Sequence, residues 1–185
     1  MLELSSQKDL GIDVQQIDDG YQHHNKGKSP EGSGWYPHKE KYPEGFKNVS
    51  AKAKQNDMKL SLWYAAMSVS LKEMKDNDET GAFGYYKLDF ANVRNHKEIE
   101  DMVEKIWTYK LFTNHQSKVN WDVTENTKRF GYFWAKEYGN VILENRKPHK
   151  PENVVYIPHL VLRDLWHLSK YCNLNKFQGS IKIKT

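Results

Sequence analysis

Four short apolar runs in this chain each end on a carboxylate, and this repetition is the first sign of chemistry. In chain order the carboxylates are Asp18 with Asp19, Asp89, Asp122 and Glu144. If the runs are parallel β-strands, their ends meet at one mouth and bring these side chains together. Because like charges brought together cost free energy, the pattern indicates a polar functional site rather than scaffold.

The elements that must position these carboxylates alternate along the chain. The predicted strands are 12–18, 58–65, 85–90, 118–123 and 141–143, and the predicted helices are a first one ending at Gly11, then 44–57, part of 69–77, 97–114, 128–138 and 158–171. The tail 180–185 alternates Ile and Lys, as an edge strand does. Strands separated by helices favour a parallel sheet with right-handed crossovers.

Length and composition set the broad class. With 185 residues, 28% charged and 13% aromatic, the chain suits one globular domain with a buried core. The net charge of +4 comes from scattered lysines and forms no basic stripe, so we expect no nucleic-acid partner. No apolar run approaches the roughly 18 residues of a membrane span, so no membrane partner is expected either. The N-terminus lacks a secretory pattern, and Cys172 is alone, so the compartment stays open.

Two architectures fit the alternation: an open doubly wound sheet and part of a (β/α)8 barrel. An open sheet that binds a nucleotide normally has a glycine-rich phosphate loop after its first strand, whereas here Asp18-Asp19-Gly20 would repel a phosphate. A full barrel takes about 250 residues and eight strands, and five to six strands are visible here. The sequence therefore predicts that residues 1–185 form a single, partial TIM-barrel domain with parallel strands and flanking helices.

Three motifs at successive strand ends resemble a known family. Ile17 to Tyr21 (IDDGY), Trp63, and Tyr86 to Asp89 (YKLD) are similar to the melibiase-type α-galactosidases of glycoside hydrolase clan D. The segments 122–124, 138–140, 144–146 and 162–166 look like the bacterial branch of that group. The resemblance extends from about residue 11 to residue 178. It implies a retaining glycosidase that cleaves terminal α-galactosides; some relatives are periplasmic or secreted.

The resemblance also implies roles for single residues. Asp89 matches the family's nucleophile, and the pair Asp18 and Asp19 matches the carboxylates that accept hydrogen bonds from the sugar's O4 and O6 hydroxyls. Lys87, two residues before Asp89, shares its strand face, so it would keep Asp89 ionised and could donate to sugar hydroxyls. The alternatives are a structural ion pair for Lys87 and a simple turn at Asp19-Gly20. Both aspartates can face a sugar only if the strand breaks near Gly20.

The acid/base residue is the point on which the sequence leaves two candidates. Counting strands in the family's order assigns it to Glu144, with Asp122 as the rival, because the family's usual motifs around these strands are absent. Arg146, two residues from Glu144, could bind a hydroxyl or orient the acid. Whichever residue acts must hold its proton near neutral pH.

Aromatic side chains are the other expected component, since their rings stack on the C–H faces of sugars. Trp63 is the main candidate; Trp35, Tyr36, Tyr21, Tyr64 and Trp121 are others. Trp107 and Trp166 lie on helical stripes and are predicted to be core. No cofactor is expected, because two carboxyl groups supply both the proton transfers and the covalent intermediate. No metal site is expected either, because the adjacent pair His23-His24 and His38 share a loop but have no further ligand at a metal spacing nearby.

A different class of function also fits the sequence. A chain that lacks the first, seventh and eighth strands would have unpaired edges, through which it could self-associate. It would then be an inactive barrel fragment or a sugar-binding remnant that binds its carbohydrate without turnover.

Overall fold

The computed structural model describes residues 2–22, 34–91, 95–122, 135–144 and 158–179. Its helices and strands, in chain order, are α1 (Leu2–Asp9), β1 (Val14–Ile17), β2 (Pro43–Phe46), α2 (Lys47–Gln55), β3 (Lys59–Ala65), α3 (Leu71–Gly81), β4 (Tyr85–Asp89), α4 (His96–Phe112), β5 (Lys118–Asp122), β6 (Val141–Glu144), α5 (Pro158–Leu168) and β7 (Phe177–Gly179). Residues 135–138 are also helical, and a 3-10 turn, Leu174–Lys176, leads into β7.

Six of the strands form one parallel sheet in the order β1-β3-β4-β5-β6-β7. The sheet curls into a half-barrel with flanking helices, as the sequence predicts. Strand order follows chain order, so each crossover leads to the neighbouring strand and all strand ends lie at the same rim. Residues of β2 lie outside this sheet, in the connection before α2.

Several element boundaries differ from the predicted ones, for local reasons. The helix predicted from residue 44 begins at Lys47, because Gly45 has φ +60°, a left-handed conformation that a helix does not allow. Strand β7 was missed because three residues are too few for a periodic pattern. The predicted edge strand 180–185 lies outside the described residues. The first helix ends at Asp9, with Gly11 at φ +75° as expected for a glycine that terminates a helix.

The hydrophobic core lies between the sheet and its helices. Among its fully buried members are residues of β3, β4 and β6 on the sheet and of α3 and α4 against it: Leu62, Leu88, Ile142, Met74 and Ile106. Both helices start with a side-chain cap, Ser70 for α3 and Asn95 for α4, which satisfies a free N–H of the first turn. No helix in the described ranges has the length and apolar character to cross a bilayer.

Two tryptophans predicted to be core are exposed, so that prediction is wrong. Trp107 is 47% exposed and Trp166 71%. In α4 the buried stripe runs through Met102, Ile106 and Tyr109, and Trp107 lies about 100° further round the helix from Ile106. The helical period of the apolar residues does not by itself show which of two adjacent apolar residues, such as Ile106 and Trp107, faces the core.

Candidate active site at the strand ends

One lysine joins the ends of three strands. The Nζ atom of Lys87, on β4, lies 3.4 Å from Oδ2 of Asp89 at the end of the same strand. It also lies 3.6 Å from Oδ2 of Asp18, just after β1, and 3.3 Å from Oδ2 of Asp122, at the end of β5. We call these four residues the strand-end cluster. Three of the five carboxylates that the sequence predicts to converge meet here, on Lys87.

The register of the sheet explains why these side chains meet. Lys87 pairs with Trp63 on β3 and with Asn120 on β5, so the three lie at one level of the sheet. Asp89 and Asp122 each follow two residues later and therefore lie on the same face, one level higher. Strand β1 ends when Ile17 pairs with Leu62, which brings Asp18 beside the level of Trp63 and Lys87.

The electrostatics of the cluster follow from its charges. Burial by itself lowers the pKa of Lys87, but the nearby carboxylates of Asp18, Asp89 and Asp122 outweigh this effect and raise it. Lys87 is therefore a fixed positive charge at neutral pH. The cluster has six carboxylate oxygens against three ammonium protons, so acceptors are in excess. Such a surface suits a neutral ligand that brings hydroxyl donors.

Asp89 is held at both of its oxygens. Oδ2 accepts a hydrogen bond from the indole Nε1 of Trp63 at 3.1 Å, and Oδ1 accepts one from the backbone N–H of Phe90 at 2.8 Å. Phe90 has φ +51°, an uncommon conformation for a non-glycine residue, which turns the chain away directly after Asp89. The Asp89 side chain is 14% exposed, so it is fixed by the protein and still reachable.

The paired aspartates have different surroundings. The Asp18 side chain is 52% exposed and contacts Lys87, and its Oδ1 accepts from the backbone N–H of Asp19 at 2.9 Å. Asp19 instead accepts at Oδ1 from Nε2 of Gln22 at 2.6 Å, and Gln22 also accepts from the Gly20 N–H at 3.0 Å. The chain turns at Gly20, where φ is +103°, as the sequence requires. Gln22 was not predicted, because nothing in its spacing distinguishes it from a loop residue.

The two acid/base candidates lie on neighbouring strands. Oδ2 of Asp122 and Oδ2 of Asp89 both lie within 3.4 Å of the same nitrogen, so they are at most twice that distance apart. Glu144 ends β6 and pairs with Gly179, while the residue that pairs with Asp122 is Leu143. The side chain of Glu144 and the whole of Arg146 lie outside the described residues.

The aromatic residues predicted to contact a sugar are mostly buried. Trp63 is 2% exposed, and its ring centroid lies 5.3 Å from that of Trp35 and 6.2 Å from that of Phe90. Trp121 is buried at the position that pairs with Leu88, on the face of the sheet that packs against the helices. Tyr21 and Tyr64 are buried as well, whereas Tyr36 is partly exposed and donates to Asp76 at 2.7 Å.

Within the described ranges, no group of three or more His, Cys, Asp and Glu side chains is arranged to hold a metal ion. The carboxylates of the strand-end cluster gather around an ammonium group instead. His23 and His24 lie outside the described residues.

The chain is similar to known proteins in structure, but a comparison of its sequence with known families and curated proteins finds no match. The sequence matches no protein-family model and no curated protein. Among solved structures, it is similar to the GH36 α-galactosidase AgaA of Geobacillus stearothermophilus in complex with raffinose, with a TM-score of 0.68 at 10% identity over 96% of this chain and 31% of that one. An α-galactosidase of Lactobacillus brevis matches with a TM-score of 0.52 at 14% identity, over 99% of this chain and 35% of that one.

A third similar structure has a different described activity. The spore cortex-lytic enzyme SleL of Bacillus megaterium matches with a TM-score of 0.53 at 11% identity, over 91% of this chain and 49% of that one. At these identities the likeness establishes the fold alone, and the chain spans less than half the length of each of these proteins. The choice of reaction and substrate therefore depends on the strand-end cluster.

Proposed function

We propose that this chain carries the nucleophile and sugar-binding side of a retaining glycosidase site that cleaves terminal α-galactosides, of the melibiase type that its motifs resemble. The observation that carries the proposal is the contact of Lys87 with the carboxylates of three strand ends, one of them half exposed. That arrangement offers fixed acceptors for sugar hydroxyls beside a reachable carboxylate. The described α-galactosidase neighbours share the fold that holds it.

In the proposed reaction Asp89 is the nucleophile. Its carboxylate attacks the anomeric carbon, the glycosidic bond breaks, and a glycosyl ester of Asp89 forms while an acid protonates the leaving oxygen. Water then hydrolyses the ester, and the same residue, now a base, removes the proton from that water. Asp18 and Asp19 accept hydrogen bonds from the sugar's hydroxyls, and Lys87 and Arg146 complete the sugar contacts.

We assign the acid/base role to Glu144. An acid has to present a proton to the leaving oxygen, whereas Asp122 turns an oxygen towards the Lys87 ammonium, which is itself a donor. Asp122 therefore acts as an acceptor that holds Lys87 in place. The alternative assignment stays testable, because Asp89 and Asp122 are close enough for the carboxyl separation of about 5 to 5.5 Å that retaining enzymes use.

The first prediction concerns Asp89. The chain is expected to hydrolyse an aryl α-galactoside, and Asp89→Asn should lower kcat about 10³-fold or more, because the amide cannot form the ester. A fluorinated galactosyl fluoride, which slows ester hydrolysis, should add one glycosyl unit to the wild-type protein, and mass spectrometry of peptides should locate it on Asp89. The matched control is Asp101→Asn on the exposed side of α4, which should keep full activity. Labelling of another residue, or normal turnover by Asp89→Asn, would exclude Asp89 as nucleophile.

A second candidate function is sugar binding without turnover. The described sheet has six strands and two unpaired edges, β1 and β7, and the protons of Lys87 already face carboxylates of the protein. Binding of galactose in the absence of any hydrolysis or labelling would favour this candidate. The same edges make self-association by strand pairing a prediction for sizing experiments.

A further inference from the structure

The ring of Trp63 has no face left for a sugar. It is 2% exposed, with the ring of Trp35 at 5.3 Å on one side and that of Phe90 at 6.2 Å on another. Its single polar atom, Nε1, donates to Oδ2 of Asp89 at 3.1 Å. Trp63, which the sequence predicts to stack on a sugar, is thus packed as an interior residue. Its one side-chain hydrogen bond goes to the proposed nucleophile.

Helix α3 fixes the ring that Trp63 packs against. Both backbone groups of Trp35 are bound by this helix: its N–H donates to Oε1 of Glu73 at 3.1 Å, and its carbonyl accepts from Nδ2 of Asn77 at 2.8 Å. The other oxygen of Glu73 accepts from the N–H and the hydroxyl of Ser70, which caps the helix. The Glu73 and Asn77 side chains are buried, so water does not compete for these bonds.

These contacts form a continuous path from α3 to the carboxylate. We propose that Trp63 is a positioning residue for Asp89, and that α3 holds it in place through Trp35. This proposal rests on the proposed function of Asp89. A nucleophilic carboxylate has to keep one oxygen directed at the anomeric carbon, and small misplacements cost large factors in rate. With Trp63 on Oδ2 and the Phe90 N–H on Oδ1, rotation of the carboxylate about its Cβ–Cγ bond breaks a hydrogen bond in either direction.

The experiment compares two buried tryptophans. Trp63→Phe keeps a ring between Trp35 and Phe90 and removes the N–H donor. Trp121→Phe is the matched control, because Trp121 is equally buried on β5, two strands away in the sheet, and its Nε1 has no hydrogen-bond partner. Trp63→Phe should lower kcat about ten- to a hundredfold with KM nearly unchanged, the range expected for one lost bond to a charged acceptor. Trp121→Phe should leave kcat within about twofold.

Two results would overturn the proposal. A raised KM with unchanged kcat in Trp63→Phe would mean that the ring contacts the sugar, and equal losses of kcat in both variants would mean that only packing matters. Asn77→Ala, which releases the Trp35 carbonyl, should lower kcat in the same direction as Trp63→Phe but by less.

A second readout does not depend on turnover. In a ¹H–¹⁵N spectrum, the indole signal that disappears in Trp63→Phe should shift in Asp89→Asn, whereas the signal of Trp121 should not. If wild-type protein turns over no galactoside, the proposed function fails, and this spectrum still decides whether Trp63 binds Asp89. If the Trp63 signal does not move, the positioning role is wrong even where turnover is normal.

Discussion

The strand-end cluster and the C-terminal flank, which we define as residues 158–179, are organised in opposite ways. In the cluster, three of the four charged side chains are largely buried, Asp18 is half exposed, and each carboxylate contacts the ammonium group of Lys87. In the flank, large apolar side chains stand in water: Leu162 is 65% exposed and Trp166 71%. Charged side chains are thus mostly buried in the cluster, whereas large apolar side chains are exposed in the flank.

This contrast separates the elements that shape the site from those that complete the sheet. Helices α3 and α4 bury apolar stripes against the sheet. Asp89 is fixed by the Trp63 side chain on β3 and by the backbone N–H of Phe90, which directly follows β4. Strand β7 extends the sheet, yet α5 covers little apolar surface on the side that carries Leu162 and Trp166. Because local stability follows buried apolar contact, we expect the flank to open at a lower free energy than the cluster.

The largest effect on stability expected from the cluster is that of removing its central charge. Lys87→Met leaves the three carboxylates facing one another, and it should lower the free energy of unfolding by about 3 kcal/mol. This is the lower end of the range for breaking a buried ion pair, because Asp18 is half exposed and screened by water. Urea unfolding at neutral pH measures the change. Lys97→Met, which breaks an exposed pair with Asp101, is the control and should be nearly neutral.

The difference in stability between wild type and Lys87→Met should depend on pH in one direction. The folded-state pKa of Lys87 is raised, so its contribution to stability is fully present below the pKa of an unfolded lysine, near 10.4. It is lost as the pH rises through the raised folded-state pKa. The gap between wild type and Lys87→Met should therefore be constant around neutrality and close at strongly alkaline pH. A variant as stable as wild type at neutral pH would mean that the ammonium does not hold the carboxylates together.

The next prediction tests whether the proposed acid/base is Asp122, inside the strand-end cluster, or Glu144, outside it. Glu144→Gln should lower kcat about 10²- to 10⁴-fold on an unactivated alkyl galactoside and far less on a strongly activated aryl galactoside, which needs no acid to leave. Asp122→Asn should affect both substrates alike, because it disturbs Lys87 rather than the leaving group. The measurement is kcat on both substrates for both variants. If Asp122→Asn instead shows the selective loss, Asp122 is the acid/base and our assignment to Glu144 is wrong.

The arrangement of the strand-end cluster was predictable where it follows local rules. Lys87 and Asp89 share a face because strand residues alternate, and the ends of parallel strands meet at one rim, which brings in Asp18 and Asp122. The half-barrel itself follows from the alternation of strands and helices. These inferences need only the period of each element and the direction of the sheet.

The rest depends on contacts between residues far apart in the chain. Trp35 is held by two residues of α3, Glu73 and Asn77, which lie 38 and 42 positions later in the chain. The periodicity of a sequence does not predict such long-range bonds. A tryptophan at a strand end suggests a stacking platform, yet only its covered faces show that Trp63 is interior. The exposure of Trp107 has the same cause, since a helical period gives a stripe but not its edges.

The smallest expected effect measures the contrast between the regions directly. Leu162→Ala on α5 should change the free energy of unfolding by no more than about 0.5 kcal/mol, as is usual for surface sites. Met74→Ala on α3 is the matched comparison, and at 1% exposure it should cost about 2 to 5 kcal/mol, since it leaves a cavity in the core. Both are measured by urea unfolding. Folding transfers little of the Leu162 side chain out of water, because most of its surface is exposed to solvent in both the folded and the unfolded state. A loss for Leu162→Ala as large as that for Met74→Ala would show that the α5 face is covered in solution, and the contrast between the two regions would then not hold.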